Sequence, residues 1–300
     1  MSTTAPPRPA AAPQAQRRPT RAAATPLRRL ARKNPLAPTA GLLWLVLVVV
    51  PLYSIVVASL RAQADFLSSN PLALPAHSTL DNYSLVLHND FLRYLLNSAI
   101  VTAASVVLAV GVSLMAAYAI VRGAGGAGRL TFNLFLLGLA IPLQATIIPI
   151  YFLITRMHLY DTLVALVLPS VAFAIPVTVL ILVTFVRDIP AELFDAMRVD
   201  GAGEWRTLWT LVLPLSRPAL MTVSIYDALT VWNGLLFPLI LTQSPQNRVL
   251  PLALWSFQGQ FTVNVPAVLA AVVLSSLPIL TLYVIGRRQL IAGLTAGFGK

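Results

Sequence analysis

The chain has 300 residues, of which 57% are hydrophobic and only 10% charged, with a mean hydropathy of +0.79; a water-soluble domain carries about a quarter charged residues, so this is a membrane protein. Its 21 basic residues outnumber 10 acidic ones and leave a net charge of +11, which in a polytopic chain is first an orientation signal and only weakly a sign of nucleic-acid binding. The absence of cysteine excludes disulfides, thiolate metal sites and cysteine nucleophiles, and His77, His88 and His158 stand at no metal-motif spacing, so no metal or cofactor is expected.

Residues 1–33 carry eight basic residues and no acid and are rich in Pro and Ala, a composition that predicts a disordered basic tail acting as a topology anchor. A signal peptide is not expected there, because the first apolar run is a full span interrupted by Pro51. Uncharged gaps long enough to cross a bilayer, which takes about 20 apolar residues, run from Asn34 to Leu60, Tyr94 to Val121, Leu130 to Thr155 and Thr162 to Val186. A fifth span is expected from about Ala219 to Leu241, interrupted by Asp227, and a sixth from Pro266 to Gly286, since Gln258, Gln260 and Asn264 suit an aqueous loop. The segments are continuously apolar and too long for barrel strands, so the fold class is all-α with six transmembrane helices. The expected layout is a first helix over 34–60, an external loop over 61–93, a five-helix core over 94–286 and a cytoplasmic tail over 287–300.

With the N-terminus inside, 17 basic residues fall on cytoplasmic segments and only Arg61, Arg93, Arg156 and Arg248 on external loops. That asymmetry obeys the positive-inside rule and places both termini in the cytoplasm of a multi-pass inner-membrane protein.

Between the second and third spans, Gly123, Gly125 and Gly128 formally match a dinucleotide-binding pattern. The fingerprint requires a strand before it and a helix after it, whereas here the glycines join two spans, so a tight cytoplasmic turn is the reading. Nor is there a phosphate loop, because Arg129 and Leu130 follow where Lys and Ser or Thr are required. Any ATP dependence must therefore come from a partner.

The cytoplasmic loop 187–218 holds five of the ten acidic residues. Pro190 suits a first helical turn, with Glu192 and Asp195 near the positive end of the helix and Leu193, Phe194 and Met197 sharing one face. Gly201 ends that helix, and a second begins near Glu204, with Trp205, Leu208, Trp209 and Val212 on one face until Pro214 stops it. Two short amphipathic helices of this kind lie on the membrane surface, pack against the spans, or form a docking knob for a soluble partner.

The run from Glu192 through Asp195, Ala196, Met197, Asp200, Gly201 and Ala202, closed by Leu211, Leu213 and Pro214, resembles the EAA loop of ABC importer permeases. The spacing is fully kept, while the family's first Glu and second Ala are here Asp195 and Met197. Further stretches resemble the carbohydrate-importer branch, of the maltose-permease kind: Thr79 to Tyr83, Arg93 to Ser98, Ile141 to Gln144 with Pro149, Leu159 to Thr162, Trp232-Asn233 with Pro238-Leu239, and Gly293 to Gly297. The resemblance covers residue 36 to the C-terminus. It implies a type I ABC importer permease fold and a partner set: a second homologous permease, a dimeric cytoplasmic ATPase and an extracytoplasmic solute-binding protein, in a surround of membrane lipid. Alternating access would be coupled to the ATPase through Glu192, Asp195, Ala196, Met197, Asp200, Gly201 and Ala202, with the tail from Gly293 to Lys300 near the same interface.

Asp227, alone in the fifth span, costs about 2.5–3.5 kcal/mol if it faces lipid, so it is expected to face a cavity or a helix. With Tyr226, Trp232 and Asn233 it is a candidate for the substrate path, since aromatic and amide groups suit sugar faces and hydroxyls. A sugar or a polyol is the implied cargo, and the chain is not expected to be an enzyme, because no catalytic constellation is present. The alternatives are an importer for a non-carbohydrate solute and an ion-gradient-driven carrier, although one intramembrane acid and no clear repeat argue against the latter.

Overall fold

A computed structural model describes residues 36–68, 70–75, 77–123, 126–254 and 263–296. The basic tail 1–33 lies outside the described residues, as do Gln258 and Gln260. The chain divides into two units, 1–51 and 52–300, and the packing set out below is all within the second. Among the described residues every regular element is helical, as expected of an all-α chain.

Three helices are long and apolar enough to cross a membrane: α1 (Leu36–Ser59), α4 (Phe91–Arg122) and α7 (Leu163–Arg187). Between α1 and α4, the short helices α2 (Gln63–Phe66) and α3 (Asp81–His88) shape the segment 61–93. The third expected span is broken. α5 (Gly126–Leu139) gives way to a short 3-10 turn, Leu143–Thr146, and α6 (Ile147–Arg156), with a bend of 91° between the two halves. Pro142 explains the break, since it has no N–H to donate to a helix and its extended backbone (φ −71°, ψ 127°) turns the chain.

The loop 187–218 folds into α8 (Ala191–Val199) and a second helix built of α9 (Glu204–Thr207), a π-helical turn Leu208–Val212 and α10 (Leu213–Leu215). It then bends by 77° into α11 (Arg217–Trp232). The fifth span is also not continuous: α11 stops at Trp232, and α12 (Leu236–Leu241) resumes after Asn233, Gly234 and Leu235. The Asn233 amide donates to Leu229 O at 2.8 Å, a local bond that competes with continuing the ladder. After a 3-10 turn, Pro245–Asn247, and α13 (Leu250–Ala253), the last helix α14 (Val265–Ala296) continues beyond Gly286 into the stretch 287–300. Counting each bent pair as one span gives five, and α14, apolar over Val265–Thr281, fits as a sixth.

α4 and α7 form the central seam. The buried face of α4 is small and hydroxylic, with Ser98, Thr102, Ser105, Ala109, Ser113 and Ala117, which lets the helix backbones approach closely where lipid supplies no hydrophobic drive. The C-terminal halves of the same helices enclose a cluster of Leu114, Tyr118, Leu182, Val183 and Val186. The glycine-rich connection joins helix to helix, with Ala124 and Gly125 outside the described residues. Here Gly128 packs so tightly that a Cβ would lie 2.5 Å from Ile120 O, a backbone atom that cannot yield. Gly128→Ala should therefore cost about 1–3 kcal/mol of overpacking; thermal unfolding of the purified chain in a lipid bilayer checks this, and an unchanged midpoint contradicts it.

Candidate functional site

The loop 187–218 is built around one buried ring. Of the three residues expected on the inner face of α8, only Phe194 is buried, Met197 is half-buried and Leu193 is exposed, because positions 193 and 194 are a full 100° apart on a helix and cannot both face inward. Phe194 lies with its ring centroid 6.5 Å from that of Tyr118, and the Arg122 guanidinium stands over it at 4.7 Å. Tyr118 also donates a hydrogen bond from its hydroxyl to Glu204, so α4 holds both short helices of the loop. Pro190 precedes α8 as its N-cap.

The C-terminus of α8 closes as a Schellman motif: Ala202 N–H donates to Met197 O at 2.9 Å and Gly201 N–H to Arg198 O at 3.0 Å, with Gly201 at φ +71°. Glu192, Asp195, Ala196, Asp200 and Gly201 are all exposed, while Met197 and Ala202 are partly covered. The result is a capped helix whose carboxylates, Glu192, Asp195 and the adjoining Asp200, are all exposed. In the second helix the wider π-helical turn changes the register, so the expected single face is divided: Leu208 and Val212 are buried, whereas Trp205 and Trp209 are exposed and meet edge to face at 5.6 Å. This helix ends at Leu215, one residue beyond Pro214.

Within the spans, Tyr226, Asp227 and Trp232 line one cavity of about 280 Å³, together with Ser98 and Thr102 of α4 and Ser170 and Phe173 of α7. Gly234 and Leu235, at the break in the fifth span, also line it. That is where non-helical backbone is tolerated at membrane depth. Asp227 is only 1% exposed; its Oδ2 accepts a hydrogen bond from Thr178 Oγ1 at 2.9 Å, and its Oδ1 is buried with no partner among the described residues. Asn233 is set apart, exposed and lining a neighbouring cavity with Trp232, Ser275 and Ser276. Sequence reasoning missed Thr102, Ser170 and Thr178, single hydroxyls scattered over separate apolar runs.

At the other end of the spans, Asp161, itself at φ +60°, clasps the segment after α12. Its carboxylate accepts from Gln243 N–H at 2.9 Å, Ser244 N–H at 3.0 Å and the Ser244 hydroxyl, and its carbonyl accepts from the Asn247 amide at 2.6 Å. From α4, the Asn97 amide donates to Gln246 O and Arg248 O, both at 2.8 Å, and Ser98 Oγ accepts from Leu250 N–H at 2.8 Å. Further along, the Asn82 amide donates to Ser59 O at 2.9 Å and Arg61 O at 2.8 Å. Asn82, Asn97, Ser98 and Asp161 all belong to the stretches quoted above for their resemblance; here each fastens backbone carbonyls or amides of a loop.

Desolvation raises the Asp161 pKa, but the hydrogen bonds from Ser244, the Gln243 and Ser244 amides and Asn247 outweigh it, and the carboxyl sits below its ordinary value. A folded pKa below the unfolded one, about 4, gives stability that is present above that value and lost as pH falls through the folded pKa. Asp161→Ala should lower the thermal midpoint by a constant amount above about pH 4 and by less below it. A midpoint difference that grows on acidification contradicts the clasp.

Residues 109–292 match the family of binding-protein-dependent transport system inner membrane components. The chain belongs to that family. It is thus an inner-membrane transport component of the ABC permease class and not an enzyme. A putative ABC transporter permease protein of Caldicellulosiruptor sp. (strain Rt8B.4) is 41% identical over 257 residues, covering 86% of this chain and 94% of the relative. The diacetylchitobiose uptake system permease protein NgcG of Streptomyces coelicolor is 31% identical over 85% of each chain. The trehalose/maltose transport system permease protein MalG of Thermococcus litoralis is 32% identical over 86% of this chain and 93% of its own. Among solved structures, a chain of a bacterial ABC transporter involved in alginate import has the same fold, with a TM-score of 0.76 at 19% identity over 90% of this chain and 99% of that one. A bacterial alginate ABC transporter in complex with a pentasaccharide-bound periplasmic protein gives 0.63 at 13% identity, over 87% and 93%.

Proposed function

We propose that this chain is the permease subunit of an ATP-driven importer that carries a sugar or related polyol across the cytoplasmic membrane by alternating access. The observation that carries the reading is the exposed acidic helix α8, closed at Gly201 and keyed to α4 and α7 through Phe194. A short helix so fixed transmits displacement as a lever and not as a flexible linker. Glu192, Asp195, Ala196, Met197, Asp200, Gly201 and Ala202 would form the contact with a dimeric cytoplasmic ATPase, the carboxylates meeting basic partner groups and Ala196 and Gly201 permitting close approach. A second homologous permease completes the translocation path, and an extracytoplasmic binding protein delivers the solute. Both termini are cytoplasmic by the distribution of Arg and Lys. Tyr226, Asp227, Trp232 and Asn233 are this chain's contribution to the substrate path. A sugar cargo is supported by the diacetylchitobiose and trehalose/maltose systems among the relatives.

The test is uptake of labelled sugars and polyols into proteoliposomes holding this chain with its co-encoded partners. Uptake that requires both ATP and the binding protein is the expected result. Uptake that persists without ATP but collapses with the proton or sodium gradient would make this a secondary carrier.

A further inference from the structure

The cavity between α4, α7, α11 and α12 has a one-sided chemistry. Among the residues that line it, Asp227 is the only charged one; there is no Lys, Arg or His. Its remaining polar side chains are hydroxyls, among them Ser98, Thr102, Ser170 and Thr230, and its walls carry the rings of Phe173, Tyr226, Trp232 and Phe237. Two buried side-chain atoms here have no partner among the described residues: Asp227 Oδ1 and Thr102 Oγ1, on residues 1% and 7% exposed. An orphaned carboxylate oxygen is an acceptor, and what satisfies it is a donor such as a sugar hydroxyl. Aromatic walls with a few convergent polar groups are the common make-up of a small-molecule site, and about 280 Å³ lies just below the usual range of roughly 300–1,000 Å³, enough for a single sugar ring. An anionic solute would meet no cation here, would have to shed its hydration uncompensated, and would face the Asp227 carboxyl.

We infer that this cavity is a subsite for one ring of an electrically neutral saccharide, with Asp227 and Thr102 as its hydrogen-bonding groups, and that it rejects uronates and sugar phosphates. The inference rests on the importer reading above and narrows it. It sets this chain apart from its structural neighbours of the alginate system, whose cargo is an acidic polysaccharide.

The test must bypass the binding protein, which selects solutes before they reach the membrane. The complex of this chain with its second permease and ATPase, in lipid nanodiscs without the binding protein, is probed by saturation-transfer NMR. The neutral probes are maltose and N,N′-diacetylchitobiose, and the acidic one is a dimannuronate. Expected are binding of a neutral disaccharide at least about tenfold tighter than of the dimannuronate, and weakening by about tenfold in Asp227→Ala and about threefold in Thr102→Val. Thr102→Val is near-isosteric and removes a hydroxyl with no partner among the described residues, so it is expected to preserve the fold even if Asp227→Ala does not. Equal or tighter binding of the dimannuronate overturns the inference, as does neutral binding unaltered by Thr102→Val. If no saccharide binds this complex while ATP-driven uptake of one proceeds with the binding protein present, the cavity assignment falls and the importer reading stands. Absence of ATP-driven uptake for every sugar removes both.

Discussion

Gly201→Asp is expected to leave the chain inserted in the membrane and the ATPase assembled and active, yet to reduce uptake at least tenfold. Gly201 stands at φ +71°, where a side chain costs about 1–2 kcal/mol, and nothing lies within 4 Å of the position a Cβ would take. The substitution therefore does not clash; it works against the backbone conformation itself. The bonds that depend on that conformation, from Gly201 N–H to Arg198 O and from Ala202 N–H to Met197 O, are what close α8. Losing them frays the helix at the end that carries Asp200, and adds a further negative charge to the exposed face. Uptake and ATP hydrolysis measured on the same proteoliposomes separate coupling from assembly. Gly201→Asn provides the control, since Asn tolerates left-handed backbone and should retain much of the uptake. Undiminished uptake by a well-expressed Gly201→Asp chain would remove the loop from the coupling pathway.

Phe194→Ala should have the largest effect on the protein itself. The ring is 3% exposed, belongs to the cluster formed by α4 and α7, and lies under the Arg122 guanidinium. Truncating a buried Phe to Ala costs about 3–5 kcal/mol in transfer energy and residual cavity. Because Phe194 is the one fully buried side chain of α8 among the described residues, the loss falls on the attachment of that helix and not on the spans. The thermal midpoint of the reconstituted complex should drop by several degrees, and ATP hydrolysis should proceed with little transport. Phe194→Leu, which refills most of the volume but removes the ring beneath Arg122, should recover stability before coupling. A variant with wild-type midpoint and uptake would show that α8 is held elsewhere.

Local signals are legible in the sequence where a single residue's backbone preference or a run without charge decides the outcome. Gly201 ends α8 because glycine adopts a φ of +71° more readily than residues with a Cβ, and the charge gaps locate the apolar helices because unpaired charge is costly in lipid. The breaks at Pro142 and at Asn233 to Leu235 are not legible in the spacing of charges, since no charged residue lies between Leu130 and Thr155 or between Ala228 and Leu241 to mark them. The division of Trp205 and Trp209 from Leu208 and Val212 was hidden for a related reason: a π-helical turn shifts the register without changing the composition. In the candidate cavity, Asp227 announced itself as a lone acid, but Thr178 and Thr102 lie on other helices, and pairing across helices leaves no spacing to detect. The same holds for Arg122 over Phe194, 72 positions apart in the chain.

The Asp161 clasp also limits how the molecule can deform. Its bonds, with those of Asn97 and Ser98, tie the ends of α4 and α7 and the segment after α12 through the main chain of residues 243–250. Main-chain ties made in parallel resist stretching as well as rotation, so these three parts of the fold are expected to move together. At the right-angle elbow at Pro142 and the gap between Trp232 and Leu236 the backbone hydrogen bonds are short-range ones, such as Ala145 N–H to Pro142 O and Gly234 N–H to Val231 O, and the candidate solute cavity borders both. If transport proceeds by the proposed alternating access, stiffening the elbow at Pro142, which is not among the residues lining the cavity, would be the direct way to arrest it with the cavity intact.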